Sequence, residues 1–132
     1  SPEITLEQIG RITPEVKTAV IGYGHIPVML VKACPLQNVR TCGECNGKGF
    51  LTDRKGMKLP VLCHGKIAGY REIFNPVPLY LGDRIKEIKA DFVSLNFTVE
   101  NKAQVSSIIK KFLAGEKFGG DFTRGLYYKA SL

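Results

Sequence analysis

Apolar residues recur on one helical face in the stretch 101–114, at Val105, Ile108, Ile109 and Phe112. That spacing predicts an amphipathic helix. Asn101 suits its N-cap and Gly115 its C-terminal stop. Just before it, residues 91–99 are rich in Phe92, Val93, Leu95, Phe97, Thr98 and Val99, the composition of a strand. Residues 79–88 are predicted as a further helix, entered from the turn Asn75-Pro76-Val77-Pro78. Nearer the start, Thr5 and Gln8 stand at capping-box spacing, with Leu6 and Ile9 on one face. A short helix over 5–12 follows, broken at Thr13-Pro14. Residues 16–23 are β-rich, with Gly22 and Gly24 marking a bend or a close backbone approach. The apolar run 26–31 reads as a buried strand or a helical turn, weakened at Pro27. Residues 50–52 and 59–63 read as strands joined by the turn Asp53-Arg54-Lys55-Gly56. Residues 70–74 form another strand, and 122–132 a loop with a short strand. The rhythm of the second half, strand, helix, strand, helix, implies an α/β fold with a parallel sheet.

Composition adds limits. The 132 residues suit a single domain, with 44% apolar and 23% charged residues. No apolar run approaches the roughly 20 residues that span a bilayer. The start, Ser1-Pro2-Glu3-Ile4, has no secretory pattern and no initiator methionine, so a processed or excised chain and a cytoplasmic location are expected. Nineteen Lys and Arg against twelve Asp and Glu give a net charge of +7. That excess permits contact with RNA or another acidic surface, but it is scattered, densest at Lys110-Lys111 and in 48–58.

The four cysteines change the picture most. All fall between Cys34 and Cys63, at spacings of seven, two and seventeen intervening residues through Cys42 and Cys45. They lie in a loop crowded by Pro35, Asn38, Gly43, Asn46, Gly47 and Gly49. A C-x-x-C pair in a glycine-rich turn aims two sulfurs at one point, and two distal cysteines complete a tetrahedral set. Such a site takes zinc or an iron–sulfur cluster. Reduced buried thiols or disulfides are the other readings. His64 is a possible substitute ligand beside Cys63, or a flanking surface residue. His25 is either a functional imidazole or a hydrogen-bonded structural one. Asp53, Asp83, Asp91 and Asp121 sit in turn or helix-start contexts, and Arg54, Arg84 and Arg124 could bind an anion but more often form surface ion pairs. No familiar hydrolase or phosphate-loop motif stands out.

Several segments together resemble the peptidase U32 family, the collagenase-like proteases. They are Tyr23-Gly24-His25-Ile26-Pro27-Val28-Met29 with Ala33-Cys34-Pro35-Leu36, Leu51-Thr52-Asp53-Arg54-Lys55-Gly56, and Phe74-Asn75-Pro76-Val77-Pro78-Leu79-Tyr80, where Pro76 replaces the family's serine. Asp91-Phe92, Phe97-Thr98-Val99-Glu100 and Thr123-Arg124-Gly125-Leu126-Tyr127-Tyr128 complete the set. The likeness covers nearly the whole chain. It implies the later part of a longer protein, with strand–helix alternation like part of a β/α barrel and a Cys-rich loop and hairpin inserted at about 34–63. It also implies a peptidase whose isolated piece is inactive alone, partnered by the rest of the protein and acting on a peptide. Relatives implied by the same likeness support hydroxylation of RNA bases or of a quinone precursor with a cysteine-held iron–sulfur cluster. A non-catalytic, zinc-stabilised interaction module is the third expectation. A part-barrel would leave a sheet edge bare, so self-association is expected.

Overall fold

A computed structural model describes residues 4–12, 15–38, 41–42, 44–65 and 68–129. The expected helix break at Thr13-Pro14, the role given to Gly43 and the last three residues of the tail lie outside them. The fold is mixed α/β, mostly β, with two sheets. The chain divides into two compact units, one built from the residues up to Gly24 together with those from Val77 onward, the other from His25–Pro76.

The first unit opens with helix α1, Leu6–Ile9, capped by the reciprocal Thr5–Gln8 box that the spacing predicts. Strand β1, Ala19–Gly24, runs parallel to a strand at Phe92–Asn96 and antiparallel to a two-residue strand at Leu79–Tyr80. Helix 102–113 follows, with the same reciprocal capping at Asn101 and Gln104. Beyond its cap, Gly115 takes φ +68°, the left-handed turn that suits glycine after a helix. Tyr23, Tyr80, Ile108 and Phe112 form the core, with Val93, Leu95, Phe97, Phe118 and Phe122 against it.

The predicted helix over 79–88 is a correction. Leu79–Tyr80 is a strand, and only Gly82–Glu87 turns, as a 3-10 helix with Arg84 out of helical geometry. Leu79, Tyr80 and Leu81 are wholly buried in succession. Three consecutive buried side chains leave no polar helical face, so sheet pairing wins over helix propensity.

The second unit is an antiparallel sheet. Its strands are β2 (Pro27–Val31), β3 (Lys48–Thr52), β4 (Lys58–Cys63) and β5 (Arg71–Phe74), in the order β2-β5-β4-β3. In chain order the strands of the first unit then become β6 (Leu79–Tyr80) and β7 (Phe92–Asn96), with α2 at Lys102–Leu113. The β3–β4 turn forms where Asp53-Arg54-Lys55-Gly56 predicts it: Asp53 Oδ1 accepts from the backbone of Lys55 and Met57, each at 2.8 Å. Leu36, Val61 and Ile73 make the core, with Val31, Cys34, Leu51 and Leu59 around it. The run 26–31 is a strand but not a buried one, since Val28, Met29 and Leu30 are exposed. The parallel β1–β7 pair carries the α/β character. Among the described residues the sheets do not close into a barrel.

Candidate metal centre

The four cysteines come from three parts of the second unit. Cys34 follows β2, Cys42 and Cys45 precede β3, and Cys63 ends β4. All four line one pocket of about 460 Å³, together with Thr41, Asn46, Gly47, His64, Gly65 and Arg71. They carry no disulfide; each is a free thiol, Cys42 exposed and the other three half-buried. Among the described residues, no three His, Cys, Asp or Glu side chains close on one point as ligands of a single ion. The sulfurs thus share a wide pocket rather than a tight tetrahedron.

Local hydrogen bonds explain how the loop reaches this place. Thr41 and Glu44 bind each other across the C-x-x-C, Thr41 Oγ1 donating to Glu44 Oε2 at 2.9 Å and the Glu44 amide to the Thr41 carbonyl at 3.3 Å. Asn46 Oδ1 accepts from the Lys48 amide at 3.2 Å. Gly47 takes φ +82°, a conformation that a side chain would strain. There its carbonyl accepts from the Cys63 amide at 2.8 Å, so Cys45 and Cys63 are tied through neighbouring backbone.

The cradle around Cys63 is close. The Gly65 amide donates to Cys63 Sγ at 3.4 Å. A Cβ on residue 65 would lie 3.1 Å from that sulfur and 2.8 Å from Arg71 Nη2. A side chain at 65 would crowd both groups, so glycine suits the backbone's turn beside the sulfur. Soft thiolates with a backbone donor aimed at one of them form a donor set that suits zinc or an iron–sulfur cluster.

His64 lines the pocket, with its ring bound to Glu72 of β5. Its Nε2 donates to Glu72 Oε2 at 3.0 Å, and the ring lies 5.0 Å from that of Tyr70. A carboxylate behind an imidazole is the arrangement that orients metal-bound histidines, so either reading of His64 keeps a physical basis. His25 donates from Nδ1 to the Asn75 carbonyl at 2.7 Å, a bond that suits the hydrogen-bonded structural reading.

Arg71 is the pocket residue that the motifs do not single out. It pairs with Cys63 across β4 and β5. Two strands separated by Gly65 and Gly69 would have suggested that pairing. Of the arginines read as ion-pair formers, Arg84 binds Glu87 at 2.8 Å and Arg124 binds Asp83 at 2.6 Å. The larger cavity of the first unit, about 780 Å³, is bounded by Glu7, Arg11, Glu87 and Tyr128, whose polar groups are engaged with one another or with Arg84. No helix among the described residues is long and apolar enough to cross a membrane. No family model, curated protein or solved structure matches the chain.

Proposed function

We propose that the chain binds a metal centre through Cys34, Cys42, Cys45 and Cys63, as the cysteine-bearing part of a U32-like protein. The observation that carries this reading is that all four thiols line one pocket although the chain supplies them from separate places. The Gly65 amide on Cys63 Sγ and the room that Gly65 leaves there support it. The four cysteines would hold zinc as thiolates, and Cys34, Cys42 and Cys45 would then be tied to Cys63 at the end of β4. On this reading the parent protein is a peptidase of the collagenase-like kind, part-barrel in fold, and this region contributes a structural or catalytic metal.

A second reading has its own support. Sulfurs spread around a pocket of about 460 Å³ suit an object larger than one ion. An iron–sulfur cluster is such an object, held by four cysteines, and would supply electron transfer when bound. The parent protein would then serve hydroxylation of RNA bases, a role that the net charge of +7 favours.

Metal and acid-labile sulfide analysis of the chain, purified with and without oxygen, separates the readings. One zinc per chain and no colour supports the first; iron, sulfide and a brown absorption band support the second. A chain that takes up neither, with all four thiols open to a thiol reagent, would falsify both. Peptide hydrolysis by the longer protein, abolished by a chelator, tests the peptidase assignment.

A further inference from the structure

Cys63 and Arg71 are cross-strand partners, and the space where Gly65 has no side chain lies within about 3 Å of both the Cys63 sulfur and the Arg71 guanidinium. The guanidinium therefore crosses the wall of the cysteine pocket beside one of the sulfurs. Its Nη1 donates to the Lys32 carbonyl, which fixes the side chain between the strand and the loop that carries Cys34. Its Nε is buried and has no acceptor among the described residues. A buried donor left unsatisfied is costly, so a small shift that brought it an acceptor would be favoured.

We propose that Arg71 is the positioning residue of the metal centre. The inference rests on the metal-centre reading above. Four thiolates bring about four negative charges, and a divalent ion or a doubly charged cluster cancels only half of them. The remaining anion sits in a half-buried pocket. Arg71 supplies the opposite charge at fixed distance and a planar set of donors for the sulfur nearest it. Gly65 is small so that this cation reaches Cys63.

Zinc titration of the full chain against a chromophoric chelator tests it. Zinc is the probe because four thiolates bind it whichever metal is native. Removing an outer partner of a metal ligand typically costs 10–100-fold in affinity, and that loss is expected for Arg71→Gln. Arg71→Lys keeps the charge and should recover part of the loss. Arg54→Gln, in the exposed β3–β4 turn, should bind as the unaltered chain does. Equal affinity for Arg71→Gln and the unaltered chain overturns the role of Arg71 alone. An unaltered chain that takes up no zinc overturns the metal-centre reading itself. Should Arg71→Gln not fold, nitrogen-15 spectra of the unaltered chain decide the matter, the Arg71 Nε–H signal being assigned by its loss in Arg71→Lys. Zinc should shift that signal and slow its exchange with water; an unmoved signal overturns the proposal.

Discussion

Arg124 holds Asp83 with both terminal nitrogens, Nη1 to Oδ1 at 2.6 Å and Nη2 to Oδ2 at 2.7 Å. The same Nη1 donates to the Tyr80 carbonyl at 2.8 Å, and the guanidinium lies 4.7 Å from the centre of the Phe122 ring. The pair thus ties the start of the 3-10 turn to the core strand β6 and to the C-terminal loop.

The Arg124 hydrogen bonds hold the Asp83 carboxyl below its usual range, against the opposing push of burial. A depressed carboxylate supports the fold above its unfolded pKa of about 3.9 and loses that support as pH falls through the folded value. Asp83→Asn should therefore destabilise the chain near neutrality by about 1.5–3 kcal/mol, the range for hydrogen bonds to charged groups. The gap should close as pH falls below about 4. Urea unfolding at neutral and acid pH measures both, and a gap independent of pH contradicts the assignment.

Gly22 is a packing requirement of the first unit. A Cβ there would stand 2.4 Å from Val93 Cγ1 and 2.6 Å from Phe112 Cζ, atoms of β7 and α2. Both belong to side chains held in or against the aromatic core, so neither moves without cost. Gly22→Ala should lose about 1–3 kcal/mol through overpacking. Gly120→Ala, whose nearest neighbour would be Phe118 Cε1 at 3.8 Å, should change stability by less than about 0.5 kcal/mol. Thermal melts of the two variants should separate clearly.

Metal binding predicts a stability that a chelator removes. Apparent binding energies of roughly 10–16 kcal/mol are reached in small zinc peptides, where folding and binding are one event. Here the strand core of Leu36, Val61 and Ile73 exists beside the site, so a smaller part of the fold depends on the metal. Cys45→Ser should lower the melting temperature of metal-loaded protein and leave it indifferent to chelator. An unaltered melting curve for Cys45→Ser, before and after chelation, would contradict ligation by that sulfur.

Local signals made much of this fold legible. Thr5 with Gln8, and Asn101 with Gln104, cap their helices because the short polar side chains reach amides three residues on. The Asp53 turn forms for the same local reason. What failed was set by distant partners. Residues 79–81 are strand and turn because Tyr23 and Gly24 of β1 pair with Tyr80 and Leu79, fifty-odd positions away. The spacing of Cys34, Cys42, Cys45 and Cys63 led to four sulfurs on one ion; the structure places all four along one pocket, and among the described residues no three of them close on one point. The place of Arg71 in its wall was not legible, because it depends on the register of β4 against β5.

The exposed strand β2 makes the last prediction. It is an edge of its sheet, paired among the described residues with β5 alone. The ladder shifts at a bulge between Pro27 and Met29, where Val28 sits; beyond it successive residues point to opposite faces, so Met29 lies on one face and Leu30 on the other. Their exposures are 55%, 55% and 65%, which leaves both faces of the strand uncovered within its unit. An apolar edge with free ladder groups recruits another strand, and Pro27 blunts only its first position. Light scattering over rising concentration should therefore show a dimer or a larger species. Leu30→Lys places a charge on the edge, the device by which soluble sheets avoid such pairing, and should return the mass toward that of a single chain. A single-chain mass for the unaltered protein at every concentration would show that β2 does not drive association.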